Sequence, residues 1–460
     1  MTRRCIVHSG ILAALTAAAL GCADSKSSRP SLTDPSLGGG TPAADSSCMG
    51  LPTAPQSQRV DLARPSFSNP TNVTNPLFPI SSQFRVVMLG KADGLPFRAE
   101  VTLLSDTRTV DLDGNPVETL VSQYVAFLDG RLFEVALDFY GQDDGGAAWY
   151  FGEDVFNYED GLVADTEGTW LAGRDGPVAM IMPADPQVGN VYRPENICGL
   201  VFEEVTVQST GLTVDGPTGP VSGAITVQEL HMDGTFEDKT FAPGYGEFTT
   251  GAGGDLEAVA LAVPTDALPG LPPKELETLY TGAADLFDAA QSGQWDTALT
   301  TYDEMNAAWE DFKSGEVPPR LEAQMDEALE ELTGTLQAEA AEETRQATIN
   351  VARASLDLQL QYRTAAETDL DLLDLWARQL VVDAAAGDQG GVLGDAATLK
   401  WIRDRVARDV TLKELQAIDA RLEGLRAAAA AGDLTRAAGT AVSLRATVSQ
   451  TRAKPYQRRQ

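Results

Sequence analysis

The chain has 460 residues, 43% of them hydrophobic, and a formal net charge of −33 from 67 acidic and 34 basic side chains. That length allows two or three domains with cores of their own, and a mean hydropathy of −0.14 argues against a polytopic membrane protein. The acidic excess argues against nucleic acid as a partner, because phosphates need a basic face, and it opposes adsorption to anionic lipid.

Arg3 and Arg4 open the chain, an apolar run follows from Ile11 to Leu20, and Gly21-Cys22 comes next. The run is too short to span a bilayer, which takes about 20 apolar residues. The segment resembles a bacterial lipoprotein signal peptide, in which cleavage before the cysteine leaves Cys22 to be acylated. It departs from the usual pattern in one respect: Leu and Ala are exchanged in Ala19-Leu20-Gly21-Cys22. The resemblance implies a signal peptide over residues 1–21, export, and a lipid anchor on Cys22 in the cell envelope. Ala23 is not an aspartate, which favours the outer membrane over the inner one. An ordinary secretory signal cleaved elsewhere is the alternative.

Of the four cysteines, Cys5 would leave with the signal and Cys22 would carry the lipid, so Cys48 and Cys198 remain. An exported compartment is oxidising, and the two either form a disulfide or stand as separate thiols. Residues 22–69 are rich in Ser, Pro, Gly, Thr and Asp without apolar periodicity, which predicts a disordered tether.

Residues 70–265 predict an antiparallel β domain. Short runs rich in Val, Leu, Phe and Tyr are separated by Asp-Gly dipeptides, eight in all, and Asp-Gly favours tight turns because both residues tolerate positive φ. Alternation is clear in RLFEVALDFY, where Phe133, Val135, Leu137 and Phe139 share one face. No helix of ten residues fits between the runs, so a meander of eight to ten strands is expected, curved into a half-barrel or a sandwich. This segment holds 30 acidic and 8 basic side chains.

Residues 271–452 switch to Ala, Leu, Glu and Arg with a period of 3.6: Leu276, Leu279, Tyr280, Ala283, Phe287 and Ala290 fall on one face. Pro272-Pro273 and Pro318-Pro319 suit helix starts, and Gly293, Gly387 and Gly432 suit helix ends. The glycine spacings are not those of a tetratricopeptide array. The reading is an all-α bundle of five to seven helices, followed by a basic tail at 453–460.

Catalytic constellations are scarce. His8 and His231 are the only histidines, there is no GxSxG elbow, and no zinc-hydrolase pair exists. A carboxylate-only hydrolase would need two buried carboxyls facing each other across one pocket, and residues adjacent in a strand, such as Glu203-Glu204, face opposite sides. Asp111, Asp113 and Asn115 offer oxygen ligands at alternating positions, as calcium loops do, but lack the sixth-position glycine and twelfth-position acid of an EF-hand; a plain hairpin turn is the competing reading. His231-Met232 with Met180 and Met182 would suit Cu(I), or else Met180 and Met182 fill the core. Trp149, Tyr150, Phe151 and Tyr158 could form an exposed aromatic platform for sugar or lipid, or else pack in the strands, and beside Trp149 and Tyr150 the pair Glu153-Asp154 is a ligand candidate.

The β segment also resembles a group of uncharacterised bacterial lipoproteins. The resemblance rests on YGQDDGGAAWYFGED (Tyr140–Asp154), DTEGTW (Asp165–Trp170), IMPADPQVGNVYRPE (Ile181–Glu195) and FAPGYGEF (Phe241–Phe248). It implies export and a β fold and brings no activity. The expectation is a multidomain, non-catalytic, lipid-anchored envelope protein that binds or scaffolds an envelope partner. A calcium-binding envelope protein using acidic turns is the alternative, and a carboxylate-only hydrolase the third.

Overall fold

The computed structural model describes residues 48 and 50–452; Cys22, the signal-like segment and the basic tail at 453–460 lie outside the described residues. A large antiparallel sheet is followed by helices, as the sequence predicts. Its strands are β1 (Arg85–Ala92), β2 (Leu95–Leu112), β3 (Asn115–Leu128), β4 (Arg131–Gln142) and β5 (Ala148–Glu159). There follow β6 (Leu162–Asp165), β7 (Trp170–Leu171), β8 (Ala179–Met182), β9 (Val191–Ile197) and β10 (Val201–Gly216). The last four are β11 (Gly219–His231), β12 (Phe236–Ala242), β13 (Gly246–Thr250) and β14 (Glu257–Val263). Among the described residues the count of 14 exceeds the eight to ten expected; three of the strands, β6 to β8, are four residues or shorter and carry too little alternation to read.

The hydrogen-bonded path runs β6-β5-β4-β3-β2-β1-β14-β13-β12-β11-β10-β9 without closing. It is one curled sheet, the half-barrel of the two shapes expected. β8 pairs with β5 and lies beside β9, so the two ends approach each other. Four of the Asp-Gly dipeptides make the two-residue hairpins of this meander: φ is positive at Asp93, Asp113, Asp129 and Asp160 and at the glycine after each. Two positive φ values in a row define the turn whose twist matches that of the flanking strands.

The alternation in β4 holds over Val135, Leu137 and Phe139, whereas Phe133, at a register shift opposite Ala126 and Phe127, packs against a different apolar cluster from Val135. Val135 and Leu137 face outward into the core shared with the helices. Phe139 packs with Val121 beneath the Arg108 guanidinium, 4.1 Å from its ring. Glu134 and Asp138, the polar alternates, point into the space enclosed by the curl and are buried there.

Eight helices are described rather than five to seven: α1 (Lys274–Gln291), α2 (Trp295–Lys313), α3 (Pro319–Gln337), α4 (Ala341–Gln359), α5 (Ala365–Ala386), α6 (Gln389–Val406), α7 (Leu412–Ala430) and α8 (Leu434–Arg452). Gly293, Gly387 and Gly432 sit between helices with φ of 66°, 74° and 70°. Thr364 and Thr411 form capping boxes with Glu367 and Glu414. Each half of the bundle repeats one scheme: the first helix packs on the second and fourth, and α4 against α5 joins the halves. Among the described residues no helix is long and apolar enough to cross a membrane.

The bundle docks on the outer face of β1 to β4 and β14. Phe127 stacks on Trp376 at 5.1 Å, and Val87, Val125 and Leu261 join the helical core. A buried ionic network crosses the same seam. Arg98 holds Asp357 with two bonds of 2.7 and 2.8 Å and Glu100 at 2.9 Å. Arg85 holds Asp369 at 2.7 Å, and Arg405 reaches Glu100 and Gln123, both at 2.6 Å. Burial alone would push the Glu100 carboxyl up, but the guanidinium groups of Arg98, Arg405 and Arg85 outweigh it and hold the group well below the usual carboxylate range.

Residues 50–69, expected to belong to a tether, lie on the β domain instead. Ala54 N donates to Glu204 at 2.6 Å, Val60 N to Val191 O at 2.9 Å, and Ser68 N to Asp144 at 2.9 Å. Cys48 and Cys198 are joined by a disulfide across 150 residues. Closing so long a loop restricts the unfolded chain, and losing the bridge typically costs about 2–5 kcal/mol. Cys198→Ser, or dithiothreitol, is therefore expected to lower the melting temperature; an unchanged value would mean that the docked segment holds without the bridge.

Candidate functional site

The curl of the sheet encloses carboxyl groups where an apolar core would be expected. Register explains how they meet. Glu195, Glu203 and His231 form one row across β9, β10 and β11. One step along, Glu229 on β11 pairs with Glu237 on β12, and the next row holds Lys239 opposite Val227. Glu229-Leu230-His231 and Glu237-Asp238-Lys239 thus place four polar side chains on one face of a hairpin, because residues two apart in a strand share a face.

The opposite wall is built around a bulge. Asp138 and Tyr140 are two apart on β4, while their partners Glu153 and Tyr150 are three apart on β5, with a register shift between them. Gly152 lies in that shift with φ of 122°, and a Cβ there would sit 2.3 Å from the Trp170 carbonyl. The bulge turns both Tyr150 and Glu153 inward, where the Tyr150 hydroxyl donates to Asp138 at 2.9 Å.

These carboxyls are desolvated. Burial alone pushes Glu134 up to about 8. Burial first, then the facing carboxylates of Glu195 and Glu203 respectively, pushes Glu203 and Glu229 up to about 8. Asp138, Glu153 and Glu195 move the same way for the same first reason. Lys239 is the one ammonium among them. Burial works against its charge, but Glu229, Glu247 and Glu237 outweigh that, so it stays protonated, ion-paired to Glu229 and 3.8 Å from Glu237 Oε2. His231 lies between two carboxylates, with Nδ1 3.6 Å from Glu203 Oε1 and Nε2 3.8 Å from Glu237 Oε2. Ligating atoms of Glu229, His231 and Glu237 all fall within 4.8 Å of one another. Both carboxylate oxygens of Glu153 and of Glu203, with Glu195 Oε2, Glu237 Oε2 and His231 Nε2, are buried without a hydrogen-bond partner.

On the same interior, Tyr124, Tyr140, Asp138 and Glu247 line a cavity of about 70 Å³. Ligand pockets run to roughly 300–1,000 Å³. Two carboxyls, Asp138 and Glu247, thus share one cavity, one requirement of the hydrolase reading, but its volume fits a few waters rather than a sugar ring. A groove of about 710 Å³ lies elsewhere, between Leu162 and Val163 and the helices α6 and α7.

The residues singled out from sequence separate widely. Trp149 is buried and its indole Nε1 donates to Asp143 at 2.9 Å; Tyr150 and Glu153 line the interior. Asp154, one residue on, faces outward and pairs with Arg108 at 2.6 Å. No exposed aromatic platform exists here, because Phe67 of the docked segment covers Trp149 and Phe151. The acids at the hairpin tip are staples: Asp143 accepts from Gly145 N and Ala147 N, and Asp144 from Ser66 and Ser68. Asp111 and Asn115 are engaged with the backbone of their own turn, and Asp113 is 3.5 Å from the exposed Arg64, so that turn is held by its own side chains. Met180 and Met182 fill the core beside β5, apart from the His231 row. The fold and its inner surface thus define a β domain with a carboxylate interior, braced by a helical bundle. No protein-family model matches the chain, and no curated protein matches it.

Proposed function

We propose that the chain is an exported protein anchored to the cell envelope through a lipid on Cys22, and that its folded part binds or scaffolds an envelope partner without catalysis. The observation that carries this reading is the Cys48–Cys198 disulfide. Such bridges persist in oxidising compartments, in keeping with the signal-like residues before Cys22. The bridge also supports a mechanical role. It ties the beginning of the folded part to β-domain residues, so a pull from the membrane side is delivered to the sheet rather than peeling residues 50–69 away.

The seam network supports a rigid body of β domain and bundle together, as a scaffold requires. The test is mass spectrometry of the mature N-terminus combined with fractionation. The expected result is an acylated Cys22 in the membrane fraction and release to the soluble fraction by Cys22→Ala. Retention of residues 1–21 without lipid would sink the anchor. Crosslinking and pulldown from the native envelope then identifies the partner.

A further inference from the structure

The orphaned groups of the β interior concentrate on the β11–β12 hairpin. We propose that Glu229, His231 and Glu237 bind a divalent transition-metal ion of the Mn²⁺ or Zn²⁺ class, with Glu203 orienting the imidazole. This goes beyond the envelope reading and stands or falls without it.

Geometry comes first. The three donors already lie within 4.8 Å of one another. Metal–ligand bonds of about 2.0–2.2 Å hold donors roughly 3–3.5 Å apart, so side-chain shifts of about 1 Å close the site. His231 is placed as a ligand should be. Glu203 Oε1 faces Nδ1 at 3.6 Å, which suits a proton on Nδ1 and leaves the Nε2 lone pair toward Glu237, 3.8 Å away. A carboxylate behind the imidazole is the usual outer partner of a metal-bound histidine.

Among the described residues Lys239 is the only ammonium beside Glu203, Glu229 and Glu237, so a divalent ion that displaces the protons of these three carboxyls leaves the group electrically balanced. His231 Nε2 and Glu237 Oε2 have no hydrogen-bond partner, and both residues are more than nine-tenths buried. Buried polar atoms left in this way cost free energy unless something meets them, and a metal ion meets several at once.

The donor set selects the ion. Calcium takes oxygen ligands only, and Cu(I) favours thiolate and thioether. One imidazole with carboxylates and no sulfur suits Mn²⁺, Fe²⁺ or Zn²⁺. His231 ends β11 at the turn before β12 and keeps 8% of its surface exposed.

The experiment uses the untagged full chain carrying His8→Gln, so that His231 is its only histidine. Titration with Mn²⁺ and with Zn²⁺ is expected to saturate at one ion per chain, and Ca²⁺ to bind at least tenfold more weakly. Pulsed electron paramagnetic resonance of the Mn²⁺-loaded chain is expected to show coupling to one imidazole nitrogen. Glu237→Gln and Glu203→Gln are expected to weaken binding 10- to 100-fold. Failure to saturate with either ion overturns the proposal. So does Mn²⁺ bound without nitrogen coupling, which places the ion on other carboxylates. The resonance arm keeps every proposed ligand intact, so a variant that fails to fold does not blunt the test.

Discussion

Glu100→Gln is expected to destabilise the protein by about 3–5 kcal/mol, read as a lower urea midpoint, and to uncouple the sheet from the helices. Glu100 is 3% exposed and receives Arg98 at 2.9 Å and Arg405 at 2.6 Å, with Arg85 3.6 Å away. Its charge therefore serves three guanidinium groups brought from β1, β2 and α6. The substitution keeps shape and volume and removes only the charge. Asp357 and Asp369 then face three buried cations alone. Breaking a buried ionic group from one side costs far more than the intact group contributes, because the partners stay buried and uncompensated. The exposed pair Arg408–Asp106 spans the same two halves, with side chains 59% and 74% exposed. Asp106→Asn is expected to cost under about 1 kcal/mol. A Glu100→Gln cost as small as that of Asp106→Asn would mean that the apolar contacts around Phe127 and Trp376 hold the seam without the ions.

The local grammar of the chain was legible and its global direction was not. Asp-Gly turns, the glycines closing helices and the Pro272-Pro273 and Pro318-Pro319 helix starts all follow from φ preferences of single residues, and such preferences survive in any tertiary context. The stripe Phe133-Val135-Leu137-Phe139 was visible too. Under the polar-out rule for a sheet with one wet face, its alternates Glu134 and Asp138 would face solvent. Here a bundle that begins at Lys274, far along the chain from β4, covers the apolar face, and the polar face is the one the curl encloses. No local pattern carries that information. Glu229-Leu230-His231 and Glu237-Asp238-Lys239 did carry a signal. They flank the turn at Asp233-Gly234, and a hairpin superimposes the two patterns on one face. The adjacent acids Glu203-Glu204 and Glu153-Asp154 carry no such signal, since one member of each points in and the other pairs with an arginine on the opposite face. Gly152 hid the rest, because a bulge breaks the parity by which Tyr150 and Glu153 would be assigned to opposite faces.

Stability is expected to fall as pH rises from 5 to 8, opposite to the behaviour of a protein held by ionised surface carboxylates. In the unfolded chain a glutamate ionises near 4.5, whereas burial pushes Glu134 up to about 8 in the fold. Between those values the folded state keeps a proton that the unfolded state has released. Each such group then weakens folding by about 1 kcal/mol per pH unit, and the loss ends once pH passes the folded value. Glu203, Glu229 and Glu257, pushed to about 8 by burial first and neighbouring carboxylates second, act in the same sense, and Glu237 does so up to about 7. Glu100 has the opposite sign. Its contribution is present above 4.5 and disappears only in strong acid, so it leaves this window untouched. Melting temperatures at fixed ionic strength from pH 5 to pH 8 check the sign. Glu134→Gln, which removes the ionisation and keeps the shape, is expected to flatten the slope by one carboxyl's share. A flat wild-type profile would mean that the interior carboxyls are ionised and compensated throughout. Saturating Mn²⁺ separates the two sources of that compensation: an ion held by Glu229, His231 and Glu237 recovers stability most at pH 8, where those carboxylates are charged, and least at pH 5, where protons already occupy them.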